Sequence, residues 1–226
     1  YGDRDSLGLF QQRPSQGWGT EEQVQDPVYA AGKFYDALVK IPDYKTMNIN
    51  DAAQKVQRSG HPEAYNKHET RARALASTLM GYSPAAFSCA IRTGGVDREE
   101  PNGRGLTPRA QSVLDEVQDA FGPQSTGGYA PGGVDDGHME GSAHYDGRAV
   151  DIFYRPVNAT ARRVGWATAQ WLVAHADRLD VATVIYDGRI WTARRSIQGW
   201  RDYTPPGGDT ANATLMHRDH VHVDVR

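Results

Sequence analysis

Two short stretches of this chain concentrate side chains that bind metals and move protons. The first runs Ser142-Ala143-His144-Tyr145-Asp146-Gly147-Arg148-Ala149-Val150-Asp151. His144 and Asp151 have six residues between them, and Gly147 lets the chain turn, so both side chains can reach one point. The second runs His217-Arg218-Asp219-His220-Val221-His222-Val223-Asp224-Val225. Alternate residues of a strand share a face. His220, His222 and Asp224 therefore point one way, and Val221, Val223 and Val225 point the other way, into a core. Asp151 opposes Val150 and Ile152 in the same manner. A carboxylate inside an apolar strand is costly unless it is paired or metal-bound. Two imidazole nitrogens and one carboxylate oxygen from these stretches make a three-ligand set. Such a set suits zinc with a fourth position open, the layout of catalytic rather than structural sites. Zinc so placed polarises a carbonyl and brings bound water to a pKa of about 7. Peptide hydrolysis then needs a base for the water and a donor to the leaving amine. His220 and Asp219 are adjacent candidates.

Holding these groups in place requires a sheet. The alternation over 149–154 and 220–225 predicts two strands. Runs at 181–186 and 189–193 flank Asp187-Gly188, a two-residue turn signal, and predict a hairpin. Thr107-Pro108 opens a helix to about Phe121. Residues 160–178 predict another, with Val164, Ala167, Trp171 and Ala174 at helical spacing. Residues 122–142 read as a Gly-rich loop. The N-terminal third reads as helical. Asp26-Pro27 caps a helix over 28–41, with Val28, Ala31, Tyr35, Leu38 and Val39 near one face. Asn50 caps a short helix over 51–58, and a third spans 63–80, ended by Gly81-Tyr82-Ser83-Pro84. The expected organisation is α+β: a helical segment over 1–80, a linker over 81–105 rich in glycine and charge, and a domain with a central antiparallel sheet over 106–226.

The bulk numbers narrow the field. The chain has 226 residues, 38% hydrophobic and 23% charged, as a soluble globular protein does. A net charge of −3 gives no pointer to nucleic acid. No apolar run approaches the roughly 20 residues of a membrane helix. The one cysteine, Cys89, excludes an internal disulfide and a cysteine metal cluster, and reads as a small buried hydrophobe. Asn158-Ala-Thr and Asn212-Ala-Thr match a glycosylation pattern but are not read as such. Trp166, Trp171, Trp191 and Trp200 read as core or cleft wall.

Ser142-x-His144-x-x-Gly147-x-Ala149-x-Asp151, followed by Asp219-His220-x-His222, resembles the LAS-type metallopeptidases. These include D-Ala-D-Ala metallocarboxypeptidases, murein endopeptidases and several phage endolysins, on the hedgehog-like fold. The resemblance covers 107–226 in plan, with close identity confined to the two motifs. It implies His144, Asp151 and His222 as zinc ligands. His217, His220 and His222 are similar to the His-x-x-His-x-His run of the murein endopeptidase branch, which implies a catalytic place beside the metal for His220, with His217 of the same run a further catalytic candidate. In the carboxypeptidase branch the base is an acidic residue three before the last ligand, here Asp219. Strand parity favours His220 as the main base or donor. Many members carry an arginine in a turn upstream of the first motif. The matching turn, Gly127-Gly128-Tyr129-Ala130-Pro131, has none, and His138 or Arg148 is the expected substitute, with Ser142 of the motif also at the substrate.

Ser6-Leu7-Gly8-Leu9-Phe10-Gln11-Gln12 resembles the Ser-x-Gly-Leu-Met-Gln segment of lytic transglycosylases, which have a lysozyme-like fold. In that family the catalytic glutamate precedes this segment. The chain as given starts after that point, and Glu21 and Glu22 lie downstream, so glycan cleavage is not expected. Residual glycan contact through Gln11, Trp18 or Tyr29 is one reading; a helical cap is the other. Together the two resemblances imply zinc-dependent cleavage of peptide bonds in bacterial peptidoglycan, of endopeptidase or D,D-carboxypeptidase type. The alternatives are a peptidoglycan-binding protein without catalysis, or a remnant of a glycan-cleaving enzyme. Peptidoglycan is the expected partner, with no nucleic acid, no membrane span and a monomeric state. No signal peptide is legible, so a secreted or wall-associated location is an implication of the resemblance alone.

Overall fold

The computed structural model describes residues 2 and 4–226, and the chain divides into two units, Tyr1–Arg73 and Ala74–Arg226. The architecture is the expected mixture of helices with an antiparallel sheet, and the N-terminal part is helical.

The first unit carries α1 (Glu21–Gln25), α2 (Pro27–Leu38) and α3 (Ile49–Gln57). Thr20 and Gln23 form a capping box over α1, a Thr-x-x-Gln signal that sequence reading passed over. Asp26 caps α2 through its side chain. The stripe expected on α2 is not the buried one. Val28, Tyr35 and Val39 are exposed, whereas Ala30 is buried and Phe34 packs on Phe10 at 5.4 Å between ring centres. Ala30 and Phe34 share helical spacing of their own, so the helix presents two apolar faces and packing selects one. Leu7 and Gln12 exchange backbone hydrogen bonds across a tight turn, and Gln12 Nε2 donates to the Ala30 carbonyl at 2.9 Å.

The division between the units falls inside α4 (Glu69–Leu79). That helix begins later than residue 63. Ala64, Asn66 and His68 each bond to a carbonyl three residues back, so the chain winds in tight turns before the α-helix starts. Residues 81–105 hold no helix or strand and belong to the second unit.

The second unit is built on six antiparallel strands in the order β1-β2-β6-β3-β4-β5. They are β1 (Thr126–Gly127), β2 (Ala149–Phe153), β3 (Val181–Tyr186), β4 (Arg189–Thr192), β5 (Arg201–Asp202) and β6 (His220–Val225). The two outermost strands are two residues long, too short for any periodicity to announce them. Helices α5 (Pro108–Phe121) and α6 (Ala159–Ala174) cover one face of the sheet. Val113, Leu114 and Val117 of α5 and Trp166, Ala169 and Leu172 of α6 meet Val150, Ile152, Val184, Val221 and Val223. Valines 221, 223 and 225 are indeed the inward set. The opposite face carries His220, His222, Asp151 and Asp224 together with Phe153 and Ile185, as an antiparallel sheet covered on one side by helices allows.

Helix α6 buries Ala167 and packs Val164 and Trp171 against the core as expected, leaves Ala174 exposed, and buries Trp166, Leu172 and Val173 as well. Its polar Gln170 is buried because it is satisfied: Oε1 accepts from the Ala86 and Phe87 amides, and Nε2 donates to the Thr78 carbonyl. The helix therefore packs on both sides. Asn158 caps α6 and Asn212 caps the turn at Thr214 and Leu215, which accounts for both Asn-x-Thr sequences locally. Cys89 is half-buried, less enclosed than expected.

Gly165 brings α6 against Tyr186 of the sheet. A Cβ there would lie 2.2 Å from Tyr186 Cζ, and Tyr186 is fully buried with its hydroxyl donating to the Ala161 and Arg162 carbonyls. Alanine is favoured over glycine inside a helix by about 1 kcal/mol. Overpacking a filled core costs about 1–3 kcal/mol and opposes that gain with no room to relax. Gly165→Ala is therefore expected to lower thermal stability, measurable as a reduced melting temperature.

Candidate metal centre

Antiparallel pairing of β2 with β6 sets Asp151 directly opposite His222, and Phe153 opposite His220. The turn from Ala143 to Arg148 then folds His144 back over the same face. Gly147, with φ +67°, packs against the Gly105 carbonyl and Pro101 and leaves no space for a side chain. His144 Nε2, Asp151 Oδ1 and His222 Nδ1 converge, at 3.3 Å, 3.1 Å and 3.1 Å between the three pairs. A tetrahedral ion with bonds of about 2.0–2.2 Å needs ligand atoms roughly 3.3–3.5 Å apart, close to this triangle. His144, Asp151 and His222 are all buried.

The second nitrogen of each ring shows where its proton sits. His144 Nδ1 lies 2.7 Å from the Gly128 carbonyl, which can only accept, so Nδ1 donates and Nε2 keeps its lone pair. His222 Nε2 faces the Asp224 carboxylate at 3.4 Å, which leaves Nδ1 turned inward. Two imidazole lone pairs and a carboxylate thus aim at one another within a buried space. They repel unless a positive charge lies among them, either a proton shared with Asp151 or a metal cation. Burial pushes the Asp151 carboxyl up, but the His144 and His222 imidazoles beside it outweigh that and hold the group well below its ordinary value. Burial likewise disfavours charge on His222, yet Asp151 and Asp224 together raise it. A carboxylate or carbonyl behind each metal-facing imidazole is the usual outer support of a metal site.

Three further histidines ring this triangle. His220 Nδ1 donates to Asp219 Oδ1 at 2.8 Å, and its Nε2 turns toward Asp151 Oδ1 at 3.7 Å. Asp219 in turn accepts from Arg155 Nε at 2.9 Å and Nη2 at 2.6 Å, and from the Thr214 hydroxyl at 3.3 Å. Burial raises its carboxyl, and the bonds from His220 and Arg155 bring it below normal. Asp219 therefore stands behind His220, and His220, not Asp219, lines the cleft. His217 packs on His220 with ring centres 4.6 Å apart. Burial, then the neighbouring imidazoles, push it down to about 3. Its Nδ1 is buried with no hydrogen-bond partner among the described residues. His138 stacks on His144 at 3.9 Å, and one of its nitrogens lies within 4.8 Å of ligand atoms of His144 and Asp151.

All of these rings border one open cleft of about 450 Å³. Ser142 and Arg148 line it as well. Ser142 Oγ accepts from the His144 amide at 3.4 Å, and Arg148 bonds to Asp146 and the Val225 carbonyl. Sequence reading missed Arg155, whose role depends on an ion pair 64 positions away, and the Gly128 carbonyl, because backbone groups carry no sequence signature. Gln11 and Trp18 line a separate cleft of the first unit, and Tyr29 does not.

Gly128 itself cannot be enlarged. Its φ is +79°, and a Cβ would lie 2.3 Å from His144 Cε1. Gly128→Ala is expected to displace the His144 ring and weaken metal binding by roughly 10- to 100-fold, as loss of an outer-shell partner does. A titration against a chromogenic chelator reads this directly.

No curated protein and no solved structure matches the chain. Among protein families, VldE, C-terminal domain, matches residues 102–214, a stretch that includes His144 and Asp151 and ends before His217. That match spans half of the sequence, and the chain belongs to the VldE C-terminal domain family.

Proposed function

We propose that this protein is a zinc-dependent peptidase that hydrolyses peptide bonds in bacterial peptidoglycan. The observation carrying the metal half of this reading is the convergence of His144 Nε2, Asp151 Oδ1 and His222 Nδ1, with both imidazoles aimed inward by an outer partner. Two nitrogens and one oxygen, with a cleft on the open side, are a zinc donor set of the catalytic kind. When bound, zinc supplies Lewis acidity toward a carbonyl and toward water. His220 is the proton carrier. Asp219 holds the proton at Nδ1, so Nε2 takes one from water on the cleft side and returns it to the leaving amine. Asp219 is a positioning residue, itself fixed by Arg155. His138 and Arg148 border the cleft where a peptide carbonyl or carboxylate would lie. Peptidoglycan as substrate, the hedgehog-like identity of the second unit, the lysozyme-like identity of the first and a wall-associated location rest on the two sequence resemblances.

The test is digestion of purified peptidoglycan, followed by free amino groups and muropeptide mass spectra. The expected result is new amines, their disappearance after chelation, and recovery with added zinc. Wall binding without amine release, by zinc-loaded protein, would establish a binding module instead.

A further inference from the structure

The second unit has another cleft, bordered by β3, β4, the turn after β4 and residues 93–95, with a volume of about 900 Å³. Five arginines line it: Arg148, Arg194, Arg195, Arg201 and Arg226. Arg148 and Arg226 have carboxylate partners in Asp146 and Asp180. Among the described residues Arg194, Arg195 and Arg201 have none, and the cleft lining includes no aspartate or glutamate. Arg201 donates from Nη2 to Thr192 Oγ1 at 3.0 Å. The Nε–H groups of Arg201 and Arg226 are buried without an acceptor among the described residues. A buried donor left unpaired costs free energy, and like charges gathered without counter-charge repel. Proteins keep such arrangements where a ligand completes them, and the guanidinium fork matches oxyanions in geometry. Gly94 and Gly95 border the same cleft, and a Cβ on either would meet nothing within 4 Å, so the backbone there is open to a ligand.

We propose that this cleft is an oxyanion site for a phosphate-bearing ligand. Three guanidinium charges without partners call for more than a single carboxylate. A phosphate brings up to two charges and several acceptor oxygens to one point. The source is either a small phosphate compound or a phosphodiester chain, which share this chemistry. The assignment does not rest on the metal centre or on peptidase activity, and Arg148 borders both clefts.

Calorimetric titration of the full chain at low ionic strength tests it, with inorganic phosphate, pyrophosphate, a glycerol phosphate oligomer and acetate as probes. Saturable binding of the phosphate probes is expected, with acetate far weaker. The double variant R195Q/R201Q is expected to weaken phosphate affinity by roughly 10- to 100-fold. Arg194→Gln and Arg195→Gln, at exposed positions, serve as single variants that keep the fold, checked by an unchanged melting temperature. A tighter oligomer assigns a phosphodiester chain, and equal or tighter pyrophosphate assigns a small compound. Absence of saturable binding, acetate binding as tightly as phosphate, or full affinity in the double variant would each overturn the proposal.

Discussion

His222→Ala is expected to abolish both metal binding and peptide hydrolysis. The ring supplies one of three ligand atoms and lies within 3.1 Å of each of the other two. Wild-type protein is expected to hold about one zinc per chain, and the variant to lose it on dialysis, because two remaining ligands do not make a site. A metal contributes several kcal/mol of charge stabilisation, so turnover falls by on the order of 10³-fold or more. The fold survives because the valines flanking His222 stay in the core, and far-ultraviolet circular dichroism checks that. His144→Ala and Asp151→Asn are expected to behave alike. Full zinc content in His222→Ala would remove this residue from the ligand set.

His220→Ala is expected to separate chemistry from metal binding. Its Nε2 is 3.7 Å from Asp151 Oδ1, beside the ligand triangle and not part of it. Loss of a general acid–base group costs about 10²- to 10⁴-fold. On a soluble muropeptide the variant should therefore show kcat reduced by that factor, near-unchanged KM and full zinc content. Asp219→Asn acts through the same ring. It keeps the shape but loses the charge that orients His220, and it leaves Arg155 without its partner. The expected effect is a smaller fall in kcat, about 10- to 100-fold, with KM and zinc content kept. A rise in KM alone in either variant would make these groups substrate binders.

The site was more legible in the sequence than the N-terminal packing, for a physical reason. Period-two alternation in 220–225 is unambiguous, because valine and histidine differ so much in hydration. It set the inward and outward faces, and the observed pairing of Asp151 with His222 follows once two such strands are adjacent. The Asp187-Gly188 turn was equally direct, with both residues at positive φ as a two-residue hairpin requires. Helix faces were harder. α2 and α6 each carry apolar residues on more than one side, and burial was decided by Phe10 in one case and by the partners of Gln170 in the other. The layer behind the imidazoles was legible in part. Asp219 and Asp224 sit beside the histidines in sequence, but Arg155 and the Gly128 carbonyl become neighbours only through the fold.

Anomalous diffraction at the zinc absorption edge, on crystals of zinc-loaded protein, tests the shared ion most directly. The predicted result is one strong peak about 2.0–2.2 Å from His144 Nε2, His222 Nδ1 and an Asp151 oxygen. No peak there, or a peak held by other side chains, would contradict the account.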